Sequence, residues 1–351
     1  MFFESVYEGT VQRFVAPFLP STSLFYVYVG TALVISTLTY FWFSYREAAH
    51  RPDGISKGLF GYIFDKEVWL HASARQDYVF FVFNALIYNG IVAHFLISSH
   101  VAFTVIEAGL VSTFGAQSTP IFESSALSAL IYTLLVMMAA DFAIFLTHYI
   151  QHKVAPLWHF HSVHHSAEVL TIITVFRQHP VDLFFSGTFI VILSQIAFAG
   201  FAYMTMVEPS EIMVLNVNVI LFLFFLTGYN LRHSHIWLSY PPWLSYILIS
   251  PAQHQTHHSI DPKHFDRNFG FIFAFWDWLF GTLYVPRGYE KLEFGINKEQ
   301  PNPFDSVKDI YVLPFKRSWE DFWALGPAAR AIFAITISTL LIVIVSAYFA
   351  R

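Results

Sequence analysis

Residues 126–165 read ALSALIYTLLVMMAADFAIFLTHYIQHKVAPLWHFHSVHH. A bilayer core takes about 20 mostly apolar residues per helix. Ala126–Thr147 meets that length and carries a single charge, Asp141. Where the apolar run stops, histidine begins: His148, His152, His159, His161, His164 and His165 fall within the next 18 positions. His148 and His152 stand four apart and share a helix face, and His161, His164 and His165 repeat that geometry one turn at a time. Neutral imidazole is a common metal ligand, suited to Fe, Zn, Cu and Ni. The stretch therefore reads as a membrane-crossing helix that delivers metal ligands at its end.

A second window completes the pattern, with His233, His235, His254, His257, His258 and His264. Together the windows 148–165 and 233–264 hold 12 of the chain's 17 histidines. Ten of these have ligand spacing: 148, 152, 161, 164 and 165 in the first window, 233, 235, 254, 257 and 258 in the second. One zinc takes about four ligands, so ten suit two ions. Rival motifs fail. There is no His-Glu-x-x-His, and the Glu-x-x-His of carboxylate-bridged di-iron bundles occurs only at Glu47–His50, away from the windows.

Composition agrees with a membrane setting. The 351 residues are 56% hydrophobic and 12% charged, with mean hydropathy +0.52, against about 25% charged in soluble domains. A net charge of −5 offers nothing to nucleic acid. Without cysteine the chain holds no disulfide, thiolate zinc or iron–sulfur cluster of its own, so any redox chemistry would draw its electrons from another protein.

Five further stretches approach spanning length: Leu24–Tyr45, Tyr78–Ser99, Leu183–Met204, Ala331–Ala350 and the shorter Ile212–Gly228. The start of the chain, with Phe2, Phe3, Glu4 and Glu8, does not read as a cleaved signal, and Phe2–Phe18 suits an interfacial segment. Lys and Arg concentrate between spans one and two, three and four, and five and six, and are missing from Val101–Ser125 and Thr205–Glu211. The positive-inside rule then makes the three basic loops cytoplasmic and puts both termini on the opposite side. Both histidine windows follow cytoplasmic span ends. The expected fold is an all-α integral membrane protein of about six transmembrane helices, with a cytoplasmic histidine-rich cap holding a dinuclear metal site. Its expected regions are 1–125 with two spans, 126–286 with three spans and the histidines, and 287–351 as a linker and last span.

The pattern His148-x-x-x-His152, His161-x-x-His164-His165 and His254-x-x-His257-His258 resembles the fatty acid hydroxylase / sterol desaturase superfamily. Flanking residues share the likeness: Asp141, Arg177-Gln178-His179-Pro180, Asn268-Phe269-Gly270, and Trp276-Asp277 with Leu279-Phe280-Gly281-Thr282. The likeness runs from about Asp141 to Pro286. It implies an integral membrane non-heme di-iron enzyme that hydroxylates or desaturates a lipid with O2 and external electrons. On this chain it implies that the eight box histidines bind two Fe ions, with His233 a further ligand; zinc is able to replace iron in a purified sample. His235 departs from the pattern, since relatives often carry Asn or another residue there. An electron-transfer protein or reductase is expected to dock on the cytoplasmic face, with a sterol, fatty acyl or other membrane lipid as substrate.

Asp141 lies two turns before His148 on one face, and a carboxylate within a span needs a partner. It is expected either to support a metal-bound imidazole or to pair structurally with a basic or hydroxyl neighbour. Arg177, Asp261, Asp266, Asn268 and Asp277 are open between backing imidazoles and capping helices. His159, His179 and His264 read as bystanders. A divalent-metal transporter is the rival from another class, although transporters place polar groups near the midplane, whereas here the histidines follow span ends.

Overall fold

Capping residues and proline divide this chain into helices before any packing is considered. The computed structural model describes residues 11, 15–46, 52, 54–88, 98–297, 301–335 and 338, and these are mostly helical. Helix α1 (Tyr26–Ser44) follows a turn closed by the Tyr28 hydroxyl, which donates to the Pro20 carbonyl at 3.0 Å. Two short helices, α2 (Gly58–Ile63) and α3 (Lys66–Trp69), lead to α4 (Ala72–Ile87). Ser98 caps α5 (Ser99–Phe114), which stops at Gly115 with φ of 84°. Helix α6 (Ala126–Lys153) opens with a capping box between Ser125 and Ser128. At 1.5 Å per residue its 28 residues run about 42 Å.

The chain then turns sharply. Val154 is extended, and Pro156 sits in the first turn of α7 (Ala155–His165), where a missing N–H costs nothing. Pro180 likewise opens α8 (Pro180–Thr205), which packs along α6 and α5. A two-stranded hairpin follows, β1 (Met213–Val214) antiparallel to β2 (Val217–Asn218), with Leu215 and Asn216 at positive φ in its turn. The remaining helices are α9 (Val219–Leu226), α10 (Pro242–Ser245), α11 (Pro251–His257), α12 (Phe275–Phe280) and α13 (Val307–Ala324). Phe25, Tyr28, Met137, Phe224, Phe225 and Ile272 form one buried cluster joining α1, α6, α9 and the strand-like segment before α12.

Among the described residues three helices are long and apolar enough to cross a membrane: α1, α6 and α8. They coincide with three of the six expected spans, and the chain is a mostly helical integral membrane protein on that basis. Two other expectations are corrected. Tyr78–Ser99 is not one helix, because α4 begins at Ala72 and Ser98 is the extended cap of a new helix, α5, in what read as the loop Val101–Ser125. Nor is Ile212–Gly228 a span. The eight residues of α9 rise about 12 Å, against a hydrocarbon core of about 30 Å. The chain instead returns along α6 in broken pieces held by Thr133: Ile212 N–H donates to its Oγ1 (2.8 Å), and the Asn218 side-chain amide donates to its carbonyl (3.4 Å). Most of Ala331–Ala350, most of Phe2–Phe18 and residues 89–97 lie outside the described residues.

Candidate metal centre

Four segments deliver histidine to one place. The last turns of α6 present His148 and His152, and α7 crosses them with His161, His164 and His165. Helix α11 supplies His254 and His257, with His258 at its C-cap. His233 follows the 3-10 turn Tyr229–Leu231. Their ring nitrogens form two groups, His148, His152, His161, His165 and His257 in one, and His164, His233, His254 and His258 in the other. Within each group the ligand atoms lie within 4.8 Å of one another. Each group draws on both sequence windows: His257 joins the first-window residues, and His164 joins the second. Both are able to hold a metal ion.

Hydrogen bonds on the far side of the rings show which nitrogen is presented. His148 Nδ1 lies 2.9 Å from the Phe269 carbonyl, and His257 Nδ1 lies 2.7 Å from the Arg267 carbonyl. A carbonyl only accepts, so Nδ1 carries the proton and Nε2 keeps its lone pair. His161 Nδ1 meets a carboxylate, Asp182 Oδ2, at 2.9 Å, and Gln151 holds the other Asp182 oxygen at 2.7 Å. The Nε2 atoms of His148, His161 and His257 are buried without a hydrogen-bond partner among the described residues. Three orphaned lone pairs in one group are what a metal site requires. In the other group, Nε2 of His233 stands 3.0–3.1 Å from Nε2 of His164, His254 and His258. Four ring nitrogens converging at that spacing leave a place that one cation could share. The donor set fits two metal ions.

Burial keeps these rings in the form a metal binds. It pushes His164 and His257 down to about 3, and holds His165, His233, His254 and His258 well below the usual imidazole range. All six are neutral at pH 7. His254 differs in its tautomer. Its Nδ1 faces the Arg232 guanidinium at 2.9 Å. Arginine only donates, so the neutral His254 ring carries its proton on Nε2, toward His233 and His258. Burial lowers Arg232 to about 10, which leaves it charged at pH 7.

Other expected residues are placed elsewhere. His235 stands outside both groups, which corrects its reading as a ligand. Gln255 gathers the carbonyls of Leu231, Ser234 and Ile236, and that turn sends the His235 ring to the Tyr62 carbonyl at 2.6 Å. Asp141 bonds backbone and indole rather than imidazole. It accepts from Ile272 N–H (2.6 Å), Phe273 N–H (3.2 Å) and Trp276 Nε1 (2.9 Å). It thus holds the segment whose Phe269 carbonyl orients His148. Asp277 accepts from the N–H groups of Phe269 and Gly270, and Arg232 donates to the carbonyls of Gly270 and Phe271. Gly270 fits there because a Cβ would lie 2.8 Å from Ile249 and from the Phe273 carbonyl. Asn268 ties α11 to Tyr284, and Asp261 caps the turn Pro262–His264. Asp266 pairs with Lys153 at 2.6 Å. His159, His179 and His264 bond Asp321, the Tyr311 carbonyl and Glu290.

Sequence reading missed Asp182, Gln151, Asp77 and Arg232. Asp182 carries a signal in retrospect, as the one charged residue of α8. Asp77 and Arg177 form a fully buried ion pair at 2.7 Å. The same guanidinium donates to the Val163 carbonyl and Ser166 Oγ, so it clamps the end of α7 around His164 and His165.

Comparison with known proteins bears on the same region. Residues 133–282 match the model of the family described as fatty acid hydroxylase. Alkylglycerol monooxygenase of Xenopus tropicalis is 26% identical over 54% of this chain and 38% of its own length. The Homo sapiens protein of that name is 24% identical, over 53% and 37%. Ornithine lipid hydroxylase OlsE of Rhizobium tropici is 27% identical, over 46% and 44%. The match thus spans less than half the length of each of these relatives. No solved structure matches the chain. Every residue of the two histidine groups lies inside the segment that matches the fatty acid hydroxylase family model.

Proposed function

We propose that the two histidine groups bind two iron ions and that the protein hydroxylates a C–H bond of a membrane lipid, using O2 and electrons from a separate donor. The observation that carries this reading is the pair of buried imidazole groups, with Nδ1 of three rings held by carbonyl or carboxylate so that Nε2 faces inward. Two bound irons would supply oxygen activation and hydrogen abstraction, chemistry beyond any side chain here. The chain's own part is to orient the rings, through Asp182, Phe269 and Arg267, and to keep the centre dry. The relatives' names, a monooxygenase of alkylglycerol and a hydroxylase of ornithine lipid, favour hydroxylation of a lipid over desaturation. The basic loops favour a cytoplasmic position for the histidine face, where a reductase would reach it.

The test is metal content of the purified protein, beside a variant with His161, His164 and His165 changed to Ala. About two transition-metal ions per chain, lost in the variant, are expected. Iron-loaded protein given O2, a reductase and lipid extract should then add one oxygen atom to a lipid, read by mass with 18O2. Loading that ignores the substitutions would remove the metal reading. Loading with loss of two hydrogens from the lipid would make it a desaturase, and metal flux without O2 uptake a transporter.

A further inference from the structure

Helix α13 (Val307–Ala324) lies in the region that read as a plain cytoplasmic linker, yet it has two faces of different kinds. Its inner face packs on α7, the helix of the second histidine box. Ile310 and Pro314 are buried there, Asp321 pairs with His159 at 2.7 Å, and the Tyr311 carbonyl faces His179. The outer face carries Val312, Phe315, Trp319 and Trp323, spaced as one helical stripe, with the Phe315 ring at its edge against Phe160 and His179. They are 54%, 54%, 62% and 53% exposed. Lys308 and Lys316 are exposed beside the stripe, and the Arg330 guanidinium lies 5.2 Å over the Trp323 ring.

We propose that this stripe is immersed in the headgroup region of the bilayer, so that α13 is an interfacial helix fixing the second histidine box against the membrane surface. Three observations choose lipid as the occupant. Tryptophan and phenylalanine flanked by Lys and Arg are the composition of interfacial helices. The six residues after α13 extend at most about 20 Å before the apolar run that starts at Ala331, where Ile332 and Ile335 are exposed. The helix is therefore tethered close to a run that the sequence reading expects to span the membrane. The third is a repeat of the arrangement: at the end of α1, a candidate span, Arg46 stacks over Trp42 at 4.5 Å. The inference needs a bilayer but no metal, and it stands or falls apart from the proposed reaction.

Because the chain has no cysteine, single-cysteine variants report one position each. Val312→Cys and Trp319→Cys, with Glu320→Cys on the polar border as reference, would be labelled with the fluorophore NBD in full-length protein. The protein would be reconstituted in phosphatidylcholine vesicles with or without nitroxide-labelled phosphatidylcholine. Unchanged helix content by circular dichroism and monodisperse elution would show that each variant is folded. Labels at 312 and 319 should emit to the blue of the label at 320, and nitroxide lipid should quench them about twofold or more. Water-like emission at both positions would overturn the proposal. So would blue emission that nitroxide lipid leaves untouched, which would place a protein surface on the stripe.

Discussion

His161 and His254 show how much one neighbour decides. The Asp182 carboxylate behind His161 fixes the tautomer and makes the ring a stronger donor, and removing such a partner lowers metal affinity about 10–100-fold. Asp182→Asn should therefore lose metal to a competing chelator at correspondingly lower concentration, with helix content unchanged by circular dichroism. Arg232 does the opposite to His254, by placing its ring proton on Nε2. His254→Ala should cost less metal than His233→Ala, whose Nε2 stands among the other three. Metal analysis of the two variants side by side checks this, and equal losses would make His254 a full ligand. The spacing of the boxes announced both histidines alike. Their difference comes from Asp182 and Arg232, which the boxes do not contain.

At the scale of elements, the segment 268–273 is irregular backbone that needs every polar group answered. Asp141, Asp277 and Arg232 do this, from α6, α12 and the turn before His233. Gly270→Ala would force a Cβ within 2.8–2.9 Å of three neighbours, an overpacking cost of about 1–3 kcal/mol. The thermal midpoint should fall, and metal content with it, because Phe269 backs His148. The Asp77–Arg177 pair can be tested in the same way. Breaking a buried pair from one side costs about 3–5 kcal/mol, while replacing both partners with apolar residues of similar volume is often close to neutral. Arg177→Met should be much less stable than the double variant Asp77→Leu/Arg177→Met in denaturant or thermal unfolding. Equal instability would mean that the bonds to Val163 and Ser166 dominate. The breaks at Ser98 and in 213–228 were hidden from the span reading, because hydropathy registers apolar content and not backbone continuity.

For the molecule as a whole, burying so many imidazoles makes acid its weakness. His164 and His257 ionise at about 3 in the fold, against about 6.5 for a free imidazole. The unfolded chain binds more protons in between, so stability is full above about pH 6.5 and falls as pH drops toward 3. Each ring should cost about 2 kcal/mol on going from pH 6.5 to 5. The thermal midpoint of metal-free protein should be flat from pH 7 to 8 and fall steeply by pH 5. A midpoint insensitive to pH would mean the rings are hydrated in solution.

The sequence by itself determined the membrane setting, the long apolar helices at Tyr26–Ser44, Ala126–Lys153 and Pro180–Thr205 among the six spans expected, and the spacing of the histidine boxes. These are properties of composition and of spacing along one helix, which neighbours in sequence already carry. Only the tertiary structure decided that His257 joins the first group and His164 the second, that His235 turns away, and that Asp141 serves a loop rather than a ring. Each depends on where a crossing helix or a broken return strand comes to rest, and that is set by carbonyls, carboxylates and packed side chains contributed from far along the chain.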